Sequence, residues 1–233
     1  HEYDAESRHL VLLCENETGY RNLCRLVSSA FLEGFYIKPR IDQELLRQHS
    51  EGLIALSACL AGEIPRLILG SNYERAKQYA LEMAELFGPD RFYLEIQDHG
   101  IPDQREAARG ILRLHQETGI PLVVTNDAHY LTREDAVMQD TLMCIQMGKT
   151  VDDPGRMKFE TQEFYIKSES EMAALFPDYP EAVENTEKIA DMCQVEFQFG
   201  VHHLPEFKLP AGYSDGDAYF QKLCEEGFRR RYP

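Results

Sequence analysis

The sequence predicts an α/β fold built around a largely parallel sheet, and three observations carry that prediction. Short apolar runs alternate with amphipathic runs along the chain, the pattern of strand and helix units around a sheet or barrel. The run Ile120-Pro121-Leu122-Val123-Val124-Thr125 is apolar and rich in β-branched residues, which suits a strand buried on both faces. Glycines and capping residues fall where the helical runs should stop and start.

Taken in order, Leu10-Val11-Leu12-Leu13-Cys14 reads as a buried strand, and Tyr20, Leu23, Cys24, Val27, Ala30 and Phe31 then recur at helical spacing as far as Gly34. Asp42 can cap a short helix through Leu46. Gly52-Leu53-Ile54-Ala55-Leu56-Ser57 is a second apolar strand, after which Ala61-Gly62-Glu63-Ile64 opens a short helix. Asn72 stands as an N-cap before a helix that buries Ala76, Ala80, Met83, Ala84 and Phe87 and stops at Gly88. Arg91-Phe92-Tyr93-Leu94-Glu95-Ile96 alternates like a strand. Pro102 suits a first helical position, and the run it opens ends at Gly119. Thr132 with Asp135 resembles a capping box for a helix ending near Gly148, and Ser168 with Glu171 and Asp178 with Glu181 mark two further starts. From Val201 to Gly212 the prolines and the lack of a period predict a linker, and Asp215 to Arg231 resumes a helical pattern. The expected organisation is one domain over residues 1–200, followed by a linker and the first helix of a further domain over 201–233.

A chain of 233 residues can bury a sizeable core, and its 24 Lys and Arg against 40 Asp and Glu leave a net charge of −16. That balance argues against a domain that grips nucleic acid through many phosphate contacts, which needs clustered cations. If phosphate is handled here, metal ions are the expected positive charge. No run of apolar residues is long enough to span a bilayer and the N-terminus lacks the order of a signal peptide, so a cytoplasmic protein with no membrane partner is expected. The six cysteines, Cys14, Cys24, Cys59, Cys144, Cys193 and Cys224, show no CxxC spacing and read mostly as buried free thiols. Glycine-rich phosphate loops, the GxSxG elbow and HExxH are absent from the sequence.

In parallel α/β sheets functional groups gather where strands end. The exits predicted here carry Cys59 after the second strand, Asp98 and His99 after the third, and Asp127 and His129 after the fourth. An extended backbone would send positions 127 and 129 to one side, so that a carboxylate and an imidazole converge as a metal clip. A polar turn capping the next helix explains the same two residues, a core thiol explains Cys59, and a turn leading into a helix explains Asp98 and His99. His202 and His203 fall in the linker, and His49 and His115 on helices.

The ordered set of Arg8-His9-Leu10-Val11-Leu12-Leu13, Phe35-Tyr36-Ile37-Lys38-Pro39-Arg40, Ser57-Ala58-Cys59-Leu60-Ala61-Gly62-Glu63, Glu95-Ile96-Gln97-Asp98-His99-Gly100 and Thr125-Asn126-Asp127-Ala128-His129-Tyr130 closely resembles the PHP (polymerase and histidinol phosphatase) domain of bacterial DNA polymerase III alpha subunits. The resemblance covers essentially the whole chain. It implies a PHP-type distorted (β/α)7 barrel with a cluster of divalent metals on its rim. The family's ligand positions fall on His9, Cys59, Asp127 and His129, whereas Asp98 and His99 do not match ligands. The family's opening HxH motif, its second-strand acid and His, and a following Glu have no counterpart, which predicts a barrel incomplete at its N-terminus and a metal site lacking part of its ligand set. Mixed Cys, His and Asp ligation suits zinc or manganese better than magnesium.

What the resemblance implies for function is metal-dependent phosphoester hydrolysis of the 3′-5′ proofreading exonuclease type within a replicative DNA polymerase, a nucleotidyltransferase whose own active site lies elsewhere. DNA would be met through that longer protein, with other replicase subunits, among them a separate proofreading exonuclease, as partners. Two alternatives stand beside this reading: an inert scaffold that stabilises the polymerase and docks the proofreading subunit, and a free-standing PHP phosphatase.

Overall fold

The computed structural model describes residues 7–202 and 204–232, which fall into two compact units divided between Glu196 and Phe197. The first unit opens with strand β1 (Val11–Cys14) and helix α1 (Glu17–Leu32). Asn16 caps α1 by accepting the Gly19 N–H at 3.1 Å. Gly19 and Leu26 on its inner face turn toward the core, and a Cβ on Gly19 would lie 1.8 Å from the Gly52 carbonyl oxygen, so the helix can approach the next strand only with glycine there. Helix α2 (Gln43–Gln48) follows, with Asp42 accepting the Leu45 N–H at 2.8 Å.

Strand β2 (Leu53–Leu56) leads through α3 (Glu63–Leu69) and α4 (Tyr73–Phe87) to β3 (Phe92–Ile96). Helix α5 (Pro102–Thr118) then leads to β4 (Leu122–Val124). Asn72 occupies the N-cap position of α4 but makes no side-chain capping bond, a correction to the expectation from sequence. The Thr132–Asp135 capping box forms and opens a single 3₁₀ turn (Arg133–Asp135) ahead of α6 (Ala136–Met147). Ser168 and Glu171 form the other expected box at the start of α7 (Glu169–Leu175). Helix α8 (Pro180–Met192) starts behind Tyr179 rather than Asp178, because Pro180 supplies the preset φ of a first helical residue.

The described strands form one sheet in the order β1-β2-β3-β4. β2, β3 and β4 run parallel, as expected, while β1 runs antiparallel to β2 with Val11 opposite Leu56 and Cys14 opposite Leu53. Alternation along the strands sends Leu53, Ala55, Phe92, Leu94, Ile96, Leu122 and Val124 to one face, against Leu26 of α1, Met83 of α4, and Ile111 and Leu114 of α5. Ile54, Leu56, Tyr93 and Val123 point to the other face, against Ile189 of α8. Burying each such large apolar side chain contributes about 1.5–3 kcal/mol. Asn185 of α8 adds a buried hydrogen bond to the Leu122 carbonyl at 2.7 Å. The sheet and its helices establish the α/β class, with four strands among the described residues.

In the second unit Asp215 caps α9 (Gly216–Arg231) by accepting the Asp217 N–H at 3.0 Å, and Tyr219 packs its ring against Phe207 and Tyr213. No described helix is long and apolar enough to cross a membrane. Of the six free cysteines only Cys144 is buried, so the expectation of mostly buried thiols is corrected.

Candidate metal centre

Parallel pairing brings the C-terminal ends of β2, β3 and β4 to one edge of the sheet, and the reversed direction of β1 brings its beginning to that same edge. His9 therefore lies at that same edge although it precedes its strand. It forms an isolated bridge with Gly62, donating its backbone N–H to the Ala61 carbonyl at 3.0 Å. Cys59 sits in the turn between β2 and α3, and its Sγ lies 3.6 Å from Nδ1 of His9. That turn is tight: Ala58 has a positive φ of 65°, and the Gly62 N–H closes onto the Cys59 carbonyl at 2.8 Å. A Cβ on Gly62 would stand 2.3 Å from the Ser57 carbonyl oxygen, so glycine is needed where the chain turns back.

The second pair follows β4. Oδ1 of Asp127 lies 3.2 Å from Nε2 of His129. Side chains and main chain both hold this segment. Asn126 donates to the Tyr165 carbonyl at 2.7 Å, and the His129 N–H donates to the Phe164 carbonyl at 2.7 Å. The His129 ring packs against Phe159 and Phe164, with centroids 4.7 and 5.8 Å away. His99, only 1% exposed, stacks on Phe164 at 4.4 Å and accepts the Asp127 N–H at Nε2 over 3.3 Å. Burial and the nearby Lys167 charge push the His99 imidazole below its ordinary pKa, which preserves the neutral, accepting nitrogen. Asp98 forms the expected turn by accepting the Gly100 N–H at 2.8 Å.

The four residues proposed from sequence thus appear as two pairs on one edge, and among the described residues no three His, Cys, Asp or Glu side chains gather around one point. A nitrogen donor paired with a sulfur or an oxygen donor at zinc-ligand distances in a tetrahedral site lies roughly 3.3–3.6 Å from it; His9 and Cys59 stand 3.6 Å apart, and Asp127 and His129, at 3.2 Å, stand at ion-pair distance just below that range. A thiol, two imidazoles and a carboxylate are donor types that ligate divalent metals.

Between the pairs lies a residue that sequence reasoning passed over. Glu95, near the end of central strand β3, is 4% exposed, and its carboxylate accepts hydrogen bonds from the Ala58 N–H at 3.0 Å, from Gln97 Nε2 at 2.9 Å and from the Thr125 hydroxyl. Burial raises its pKa above the usual carboxylate range against the pull of these donors, and Asp127 adds to the rise. Its signal in the sequence was one acid inside an otherwise apolar strand.

Residues 1–99 of the chain match the model of the PHP domain family. Nearly the whole chain is in turn similar to DNA polymerase III subunit alpha. It is 48% identical to that of Treponema pallidum over 96% of this chain and 19% of the relative. Against that of Borreliella burgdorferi it is 47% identical over 97% of this chain and 20% of the relative. Identity to the Thermus aquaticus protein is 45%, over 97% of this chain and 19% of the relative. The resemblance read from the ordered motifs is thereby shown, and the chain spans about a fifth of the curated relatives it matches.

Proposed function

We propose that this chain supplies a metal-dependent phosphoesterase centre, of the 3′-5′ proofreading exonuclease type, to a replicative DNA polymerase. The observation that carries the proposal is the pair of donor spacings, 3.6 Å between His9 and Cys59 and 3.2 Å between Asp127 and His129, on one edge of one sheet. His9 would donate through Nδ1, Cys59 through its thiolate, Asp127 through Oδ1 and His129 through Nε2. When bound, divalent cations there would neutralise phosphate oxygens and acidify water for attack on phosphorus. The chain's own part is to hold these donors at coordinating distance, which a deprotonated Cys59 and neutral imidazoles satisfy. The surrounding barrel would be the distorted (β/α)7 type, of which the four-stranded sheet forms one wall.

The net charge of −16 supports a division of labour, in which the wider DNA grip belongs to other parts of a longer, cytoplasmic protein working among replicase subunits. Residues 1–200 would be the PHP domain, and 201–233 the linker and first helix toward the polymerase core. Metal analysis of the full-length protein beside Asp127→Ala and His129→Ala tests the centre, and unchanged metal in both variants would remove it.

A second reading has its own observation. On α6 Val137, Met138, Leu142 and Ile145 are exposed and only Cys144 is buried, an apolar helix without a matching core. That favours a scaffold that stabilises the polymerase or docks a proofreading subunit. Nuclease activity of the intact protein with added zinc or manganese, lost on His129→Ala, would decide for the first reading.

A further inference from the structure

Glu95 stands where the two donor pairs can be tied to one another. Its strand β3 lies between the strand that leads to Cys59 and the strand that leads to Asp127. One carboxylate oxygen, Oε2, accepts the Ala58 N–H at 3.0 Å, directly before Cys59. The other, Oε1, accepts the Thr125 hydroxyl, two residues before Asp127. Gln97 closes the triangle, its Nε2 lying 2.9 Å from Glu95 Oε1 and 2.9 Å from Thr125 Oγ1. The Glu95 backbone is fixed as well, because its N–H donates to Ser57 Oγ at 2.8 Å. Ala58 needs such a partner: a non-glycine residue at φ 65° is held in place only by its surroundings. A carboxylate is the side chain for this place, since the Ala58 N–H, the Gln97 amide and the Thr125 hydroxyl all donate to it. Burial to 4% exposure keeps water from competing for these bonds.

We propose that Glu95 is a positioning residue for the metal centre, setting the Cys59 turn and the Asp127 segment in a common frame through Ala58 and Thr125. This rests on the metal-centre reading above. Support behind metal ligands typically alters affinity by about 10–100-fold.

The test is equilibrium binding of zinc and of manganese to the full-length protein, by competition with a chromophoric chelator. Glu95→Ala should weaken binding by about 10–100-fold, and Thr125→Val, which removes one of the two donors to Oε1 and leaves Gln97, should weaken it less. Glu95→Gln should recover only part of the loss: its amide oxygen can take the Ala58 N–H, while its amide nitrogen would meet the Thr125 hydroxyl, which can accept, and the Gln97 Nε2, which cannot. Alkylation of Cys59 in the metal-free protein should speed up in Glu95→Ala, a readout of the turn that needs no metal. If Glu95→Ala does not fold, Thr125→Val and Glu95→Gln carry the decision. Affinities within twofold of the unaltered protein in all folded variants, with binding still lost in Asp127→Ala, would overturn the role of Glu95 and leave the centre standing. Equal metal in the unaltered protein and in Asp127→Ala would overturn the centre, and the inference with it.

Discussion

His9 and Cys59 are held mostly by main chain, with the Glu95 carboxylate on the Ala58 N–H, whereas Asp127 and His129 are held mostly by side-chain packing, with the His129 N–H on the Phe164 carbonyl. The first pair depends on the His9 to Ala61 hydrogen bond, the bridge to Gly62 and a turn with a positive φ at Ala58. The second depends on the Asn126 contact with Tyr165 and on Phe159, Phe164 and His99 packed around it. The difference teaches that one sheet edge can present similar donor spacings by two unlike means. Each pair should therefore fail under its own kind of substitution.

The largest effect is expected from Phe164→Ala. Phe164 is buried against the His99, His129 and Phe159 rings, and its loss should cost about 3–5 kcal/mol in urea unfolding. It should loosen Asp127 and His129 while leaving the alkylation rate of Cys59 unchanged. Gly62→Ala is the mirror experiment. Its Cβ would meet the Ser57 and Cys59 carbonyl oxygens at 2.3 and 3.1 Å, backbone atoms with little room to move, for a cost of about 1–3 kcal/mol. Faster Cys59 alkylation with an unshifted His129 NMR signal would uphold the comparison, and a shift at both pairs would break it.

A smaller loss, about 0.5–1.5 kcal/mol, is expected from Asn126→Ala, which removes the 2.7 Å hydrogen bond to the Tyr165 carbonyl. Thermal unfolding reads it, and the effect should again stay with Asp127 and His129. The smallest effect lies away from both pairs. Glu117 of α5 is held down to a pKa of about 2 from its ordinary 4.5 by hydrogen bonds from Lys77 of α4 and from Arg113. A carboxylate with a depressed pKa stabilises the fold above its unfolded value, and that contribution is lost as pH falls through the folded value. The stability gap between the unaltered protein and Glu117→Gln should thus be small and constant above about pH 4.5, closing between there and about pH 2. A gap that widened on acidification would contradict the assignment.

Local rules reached far into this fold. The capping boxes at Thr132–Asp135 and Ser168–Glu171, Pro102 at the start of α5 and the positive-φ stops at Gly88, Gly119 and Gly148 were legible because each depends on a few neighbouring residues. Asp178 lost to Pro180 as a helix start for an equally local reason. Asp127 and His129 could be paired from their spacing, which two residues of backbone nearly determine.

Long-range pairing was hidden. Strand-exit reasoning alone would have passed over His9, because the antiparallel direction of β1 is set by a partner more than 40 residues away, Val11 against Leu56. Only the family resemblance brought His9 forward. Glu95 escaped for the same reason: its partners Ala58 and Thr125 lie 37 and 30 residues away, and an acid in a strand ordinarily reads as a solvent-facing residue.

The most direct test of the metal centre is zinc and manganese binding by the full-length protein with each pair removed in turn, His9→Ala with Cys59→Ala, then Asp127→Ala with His129→Ala. A centre built from both pairs predicts weaker binding in each double variant, with folding preserved by circular dichroism. Metal content and affinity equal to those of the unaltered protein in both double variants would contradict it.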